Sequence, residues 1–145
     1  MLKLLLLLFI LVSACVTVHG LGMIFGLRWL IHTTPKHGHH FSLPAMFWIF
    51  VRVVYGLMLL HLMQIAIWAA CFQLGGCFPD FATSFYYSTT SYSTVGYGDL
   101  HPPQDWRILG AVEAVTGILM FGWSTGVLFS VFNHMLSRFK GNSPP

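Results

Sequence analysis

Three long apolar stretches constrain this chain more than any other feature of its sequence. They cover residues 4–31, 45–72 and 106–135, so they are 28, 28 and 30 residues long. About 20 apolar residues in a helix span the hydrocarbon core of a bilayer, and backbone groups in lipid must be hydrogen-bonded within their own segment. The sequence therefore predicts an all-α membrane protein with three transmembrane helices.

Charged residues are too few for a soluble domain. Lys, Arg, Asp and Glu make up 8% of the chain, whereas about 25% is usual in soluble domains. The hydrophobic share of 56% also excludes a disordered chain, because disorder requires low hydrophobicity and high charge. The net charge of +3 is small and the basic residues are scattered, so we expect no nucleic-acid partner.

The two connectors between these stretches differ in character. Residues 32–44 form a short polar loop that contains four histidines: His32, His37, His39 and His40. A solvated loop facing the headgroups is favoured there over a pH sensor or a metal site, because no acid or cysteine accompanies the histidines. The second connector contains a helix-length run, 80–92, that is too short to span and suits a re-entrant helix.

The distribution of basic residues predicts the orientation of the chain in the membrane. Five flank the first connector and the C-terminus and two lie on the opposite side: Arg28, Lys36, Arg52, Arg138 and Lys140 against Lys3 and Arg107. This excess predicts a cytoplasmic C-terminus and an N-terminus outside. A cleaved signal peptide ending near Cys15 is the alternative, but the apolar stretch continues to Ile31. Four tryptophans near the helix ends predict an aromatic belt: Trp29, Trp48, Trp68 and Trp106.

The segment Thr94-Val95-Gly96-Tyr97-Gly98-Asp99 follows the short helix. At all six positions it resembles the selectivity filter of potassium channels. The chain looks like the pore domain of prokaryotic two-helix potassium channels with an extra N-terminal transmembrane helix. The resemblance implies an outer helix 45–72, a pore helix 80–92, a filter 94–99 and an inner helix 106–135. Residues 1–44 would then hold the first helix and a cytoplasmic loop, and 136–145 a short cytoplasmic tail.

The resemblance also implies roles for individual residues. Backbone carbonyls would bind K⁺ at Thr94, Val95, Gly96 and Tyr97, with Gly98 allowing the backbone turn. The side chains of Val95 and Tyr97 would pack against the pore helix. Support for the filter is expected from Asp99, Ser93, Tyr86, Tyr87 and Thr90. One filter segment cannot surround an ion, so the resemblance implies a homotetramer.

Glu113 is the one acidic residue inside an apolar stretch, and a carboxyl group within a membrane faces protein or water. We expect it to support the filter by bonding to polar groups of the pore helix or outer helix: Thr89, Thr90, Ser91, His61 or Gln64. An equally open alternative is that the Glu113 carboxyl group has no role in gating.

Several further residues are weaker candidates. Gly117 and Gly122 are candidate hinges of the inner helix, although glycines at such spacing also suit close helix packing. Thr116, Met120 and Ser124 are spaced by four and are expected to line the cytoplasmic cavity. Cys71 and Cys77 are expected at the outer membrane edge and are a candidate disulfide. The compartment outside permits this bond but does not require it. The first helix is expected at the periphery, packed on the outer helix.

The predicted function is passive, selective conduction of K⁺ across the cytoplasmic membrane. No bond is made or broken, so we expect neither enzyme activity nor a cofactor, only K⁺ as the permeant ion. The partners expected are the lipid bilayer, three further copies of the chain and an unidentified regulatory subunit. The alternative is a non-conducting regulatory membrane subunit that associates with other channels.

Overall fold

The computed structural model describes residues 2–33 and 43–140 of the 145-residue chain. It contains four α-helices: α1 (Leu2–Thr33), α2 (Leu43–Leu74), α3 (Phe81–Tyr92) and α4 (Arg107–Lys140). A 3₁₀ turn at Gln104–Trp106 leads directly into α4. The described residues contain no strand, so the prediction of an all-α protein is confirmed.

Three of these helices are long and apolar enough to cross a membrane. The candidate spans are Leu2–His32, Leu43–Leu74 and Gln104–Ser137, which confirms the prediction of three transmembrane helices. With 12 residues, α3 is too short to cross a bilayer. The rest of the histidine-rich loop and the end of the tail lie outside the described residues: Lys36, His37, His39, His40 and 141–145.

Apolar side chains from all four helices form the main core, around the point where α3 packs between α2 and α4. Trp68 and Phe72 of α2 are fully buried in this core, with their rings 6.5 Å apart. The prediction that Trp68 belongs to an aromatic belt is therefore wrong, because its indole faces the other helices. A second, smaller cluster joins the opposite ends of the three long helices: Leu30, Ile49, Val131 and Met135.

The first helix is more than a peripheral addition to the outer helix. It packs against both α2 and α4. Gly22 allows the side chain of Leu60 to approach the α1 backbone so closely that an added Cβ would collide with it. On the α4 side, the rings of His19 and Trp123 lie 5.2 Å apart between centroids. The expected packing of α1 on the outer helix is confirmed, and α1 contacts α4 as well.

Candidate functional site

Asp80 determines where α3 begins. Its carboxylate accepts hydrogen bonds from the backbone N–H of Thr83 at 2.8 Å and from the Thr83 hydroxyl at 2.9 Å. This is the bonding of an N-cap residue, which provides acceptors for the free N–H groups of the first turn. The same bonds, with that of the Thr83 N–H first, hold the pKa of the Asp80 carboxyl below its usual value.

Aromatic packing holds α3 between the two long helices behind it. The ring of Tyr87 lies 5.1 Å from Phe72 of α2 and 4.9 Å from Phe78 of the connector. On the other side, the Tyr87 hydroxyl packs against Gly110 of α4, where an added Cβ would collide with the hydroxyl oxygen. Ser91 donates a hydrogen bond of 2.8 Å to the Gly110 carbonyl. Since both contacts are to backbone, α3 has little freedom to move relative to α4.

The backbone alternates in conformation directly after α3. Thr94, Gly96 and Gly98 have positive φ angles of 63°, 53° and 76°, whereas Val95 and Tyr97 between them do not. Glycine adopts this conformation without a steric penalty, which explains two of the three positions. Thr94 is β-branched. A positive φ at a non-glycine residue costs about 1–3 kcal/mol and persists only where the surrounding structure holds it.

Hydrogen bonds to the last turn of α3 hold the strained entry to this segment. The backbone N–H of Gly96 donates to the Thr90 carbonyl at 3.0 Å, and that of Thr94 donates to the Ser91 carbonyl at 2.9 Å. The Ser93 hydroxyl donates to the Thr89 carbonyl at 2.6 Å. The conformation of the segment is therefore determined by the end of α3, whose carbonyl groups carry the negative end of the helix dipole.

A single contact joins the far end of the segment to α3. The Tyr86 hydroxyl donates a hydrogen bond of 2.7 Å to Asp99 Oδ2. This donation to a carboxylate raises the pKa of Tyr86 above its ordinary value. The six-residue segment is thus attached to α3 at both ends, through Thr94 at its start and Asp99 at its finish.

The side chains of Val95 and Tyr97 point away from the rest of the chain. They are 54% and 71% exposed, so the expected packing against a pore helix is not made within the single chain and stays a prediction for the assembly. The reason is that α3 already contacts α2 and α4 on the faces that the single chain provides. Two apolar side chains of the segment are left without a partner surface within the described chain.

Tyr92, the last residue of α3, makes the closest approach to α4. Its carbonyl oxygen lies where a Cβ of Gly117 would stand. No atom of the described residues lies within 4 Å of a Cβ added at Gly122 or Gly126. Of the two candidate hinge glycines, Gly117 therefore has a packing role within the chain, and Gly122 faces open space.

Glu113 is fully buried, and neither of its carboxyl oxygens has a hydrogen-bond partner among the described residues. The Ser88 hydroxyl is likewise buried without a partner, and Ser91 donates to Gly110 instead. Ser88 and Ser91 of α3 lie close enough to the Glu113 carboxyl group to interact with it, as predicted for the pore helix, but no hydrogen bond is formed to them, to His61 or to Gln64. The last two are unavailable because each is bonded elsewhere.

Cys71 and Cys77 are free thiols in the structure, as is Cys15. The candidate disulfide is therefore not formed in it. Burial raises the pKa of the Cys77 thiol, which favours the neutral form of this side chain.

One polar residue that contributes to this region, His19, was missed at the level of sequence, and a second, Ser124, was assigned to a cavity instead. His19 of α1 and Ser124 of α4 are buried and hydrogen-bonded to side chains of α2. Thr116 and Met120 are buried on the same face of α4 as Ser124, so the expectation that these three line a cavity is wrong. The signal for His19 was a polar side chain in the middle of an apolar stretch.

Comparisons with known proteins agree with this arrangement. The profile of a family described as "Ion channel" matches residues 58–134. Over 62 residues the chain is 32% identical to Potassium voltage-gated channel subfamily A member 6 of Homo sapiens. It is 34% identical over 62 residues to Potassium voltage-gated channel subfamily A member 2 of Xenopus laevis. Each alignment covers 42% of this chain and only 12% of the relative. No solved structure gave a significant match.

Proposed function

The chain belongs to the ion channel family, and from this membership we propose that it conducts potassium ions selectively and passively through a pore formed by four copies. The family is one of channels and not of enzymes. The named relatives are potassium channels, and the chain carries the same kind of pore unit. Three apolar helices make it a multi-pass membrane protein.

The alternating backbone of Thr94, Gly96 and Gly98 is the observation that carries this proposal. Alternation of positive and negative φ from residue to residue turns successive carbonyl groups toward a common side. Rings of backbone carbonyls replace the hydration shell of K⁺ in selectivity filters. Carbonyls bear no net charge, so the ion is bound and can still leave. We assign the carbonyls of residues 94–97 to K⁺ binding.

The exposure of Val95 and Tyr97 supports assembly of several copies. One segment provides one carbonyl at each level, and an ion must be surrounded. Closed cyclic symmetry is the usual solution for identical chains, and four copies form the ring proposed here. Each neighbour would then cover the side chains that are 54% and 71% exposed in the single chain.

The proposed orientation places the filter on the outer side of the cytoplasmic membrane. The excess of basic residues around the first connector and the C-terminus favours a cytoplasmic location for both. Asp80, Asp99 and Asp105 would then lie at the outer mouth, where carboxylates increase the local concentration of cations.

Ion flux from liposomes that contain only this protein tests the proposal. With a K⁺ gradient as the driving force, we expect Ba²⁺-blocked K⁺ flux and little flux with Na⁺. The variant Gly96→Ala should abolish it, because alanine is strained at a φ of 53° although nothing lies within 4 Å of its Cβ. The control Gly126→Ala, at an open position of α4, should conduct normally. A folded tetramer without flux would refute conduction and favour a regulatory subunit.

A further inference from the structure

Five polar side chains from all four helices form a closed ring of hydrogen bonds in the apolar interior. All five are at most 9% exposed. We refer to this set as the polar ring: His19 of α1, His61 and Gln64 of α2, Tyr92 of α3, and Ser124 of α4. Buried polar groups within a membrane protein are costly unless they are bonded, and here each member has two partners.

The hydrogen bonds of the ring can be followed in one direction. Tyr92 donates its hydroxyl to Gln64 Oε1 at 2.7 Å, and Gln64 Nε2 donates to His19 Nδ1 at 2.9 Å. His19 Nε2 then donates to Ser124 Oγ at 3.3 Å. Ser124 donates to His61 Nε2 at 3.0 Å. His61 Nδ1 closes the ring by donating to the Tyr92 hydroxyl oxygen at 3.2 Å.

The protons of the ring can be counted. Each of its five contacts holds one hydrogen, and the five members supply five when both imidazoles are neutral. His19 then carries its hydrogen on Nε2 and His61 carries its hydrogen on Nδ1. If the Gln64 amide is turned over, every bond reverses and the two histidines exchange tautomers. In both directions the imidazoles are neutral and have opposite tautomers.

A sixth proton has no acceptor in the ring. On His19 Nδ1 it would face the amide hydrogens of Gln64, and on His61 Nε2 it would leave the Ser124 hydrogen without an acceptor. Aromatic rings restrict the access of water that could replace the lost bond. Trp123 lies 5.2 Å from the His19 ring, and Phe121 lies 4.4 Å from the His61 ring.

We propose that the polar ring is a proton-sensitive device that positions the end of the pore helix under the filter. Tyr92 ends α3 two residues before Thr94, and its carbonyl contacts α4 at Gly117. With both histidines neutral, the ring holds this residue to α1, α2 and α4 together. A proton on either histidine leaves one buried hydroxyl hydrogen of the ring without an acceptor and adds a charge, which weakens the hold of the ring on Tyr92. The functional consequence rests on the proposed conduction of K⁺.

Other titratable groups near the ring lie on its filter side. Cys15 of α1 and Glu113 of α4 are close enough to Tyr92 of α3 to interact with it electrostatically. On α2 the members His61 and Gln64 are themselves in the ring, and Cys71 lies beyond Trp68 toward the connector. Charged residues of these helices other than Glu113 lie toward helix ends: Lys3, Arg28, Arg52, Arg107, Arg138 and Lys140. Glu113 makes no hydrogen bond to a member of the ring, so a proton on either histidine would add a positive charge that no anion pairs within the described chain.

Nitrogen-15 NMR of histidine-labelled protein in liposomes tests the ring itself, whether or not the protein conducts. The variants His19→Gln and His61→Gln assign the two signals by their loss. At pH 8 we expect two neutral imidazoles, one protonated on Nδ1 and the other on Nε2. Identical tautomers, or a doubly protonated imidazole at pH 8, would overturn the proposal.

Flux measurements at symmetric pH 8 and pH 5 test the functional step. We expect the ratio of K⁺ to Na⁺ flux of the unmodified protein to fall by about 5- to 150-fold at pH 5, the equilibrium effect of leaving one buried donor unsatisfied. An unchanged ratio would overturn the proposal. Glutamine donates and accepts hydrogen bonds but does not titrate, so His19→Gln with His61→Gln should remove this response. The control His134→Gln, at an exposed site of α4, should retain it. A response that persists in the double variant would overturn the proposal.

Discussion

Replacing Gly117 by alanine tests whether close packing of α4 on α3 holds the base of the filter. An added Cβ would collide with the Tyr92 carbonyl oxygen at Gly117, whereas at Gly122 nothing in the described chain lies within 4 Å. Both glycines lie within α4, so alanine adds the same helix propensity, about 0.5–1 kcal/mol, at both positions. The difference between the two variants therefore isolates the collision with Tyr92.

The difference in stability between the two variants depends on which atom the added Cβ would contact. Inserting one carbon into a well-packed site typically costs about 1–3 kcal/mol, and the backbone of Tyr92 cannot rotate away as a flexible side chain could. At 1.4 kcal/mol per tenfold, Gly117→Ala should shift the folding equilibrium about 5- to 150-fold toward the unfolded form relative to Gly122→Ala.

Denaturant unfolding of both variants in the same detergent measures this difference, and K⁺ flux from liposomes measures its effect at the filter. Gly117→Ala should be the less stable variant and should also lose selectivity, because Tyr92 lies two residues before Thr94. Gly122→Ala should be as stable as the unmodified protein or more so. Equal stability of the two variants within about 0.5 kcal/mol would refute the packing role and leave a hinge as the reason for Gly117.

Three further substitutions address the ends of α3 and the buried carboxyl group. Hydrogen bonds from Thr83 lower the pKa of Asp80. The contribution of Asp80 to stability is therefore complete above the ordinary pKa of 3.8 and is lost as the pH falls through the lowered value. Helix content measured by circular dichroism should show this loss in acid for the unmodified protein but not for Asp80→Asn. The bond to Asp99 raises the pKa of Tyr86, so its contribution is present below the ordinary value of 10.0 and is lost as the pH rises through the raised value. Tyr86→Phe should therefore reduce K⁺ selectivity at pH 7 and remove one of the alkaline steps of a spectroscopic tyrosine titration. An unchanged titration would contradict the contact. Glu113→Gln should change the free energy of unfolding by less than about 0.5 kcal/mol, the smallest contribution of one hydrogen bond, because neither carboxyl oxygen has a partner to lose. A loss above about 1.5 kcal/mol in denaturant unfolding would show a charge-assisted bond that the structure lacks.

The parts of the site that could be predicted from sequence are those that depend on local chemistry. Gly96 and Gly98 have the positive φ angles for which glycine is suited, and Asp80 caps the helix that begins after it. The positive φ of Thr94 could not be predicted, because a β-branched residue avoids that conformation unless surrounding hydrogen bonds impose it. Those bonds come from α3 carbonyls and exist only once the segment has folded back.

The rotation of each helix about its own axis could not be predicted either. Thr116, Met120 and Ser124 were correctly placed on one face of α4, but that face packs inside the chain. A helix that is apolar all round gives no amphipathic signal of which side faces protein. The same ambiguity placed Trp68 at the membrane interface, although its indole is fully buried.

By itself, the sequence determined that this protein lies in a membrane and that residues 94–99 have the pattern of a selectivity filter. Apolar stretches long enough to span a bilayer require helices, and the segment 94–99 places its glycines where an alternating backbone needs them. Only the tertiary structure decided that His19 joins α1 to α2 and α4, and that Glu113 is left without a hydrogen-bond partner in the described chain. The physical reason is that hydrogen bonds between side chains 28 to 105 residues apart depend on how helices rotate and pack. Composition and spacing carry no record of that rotation.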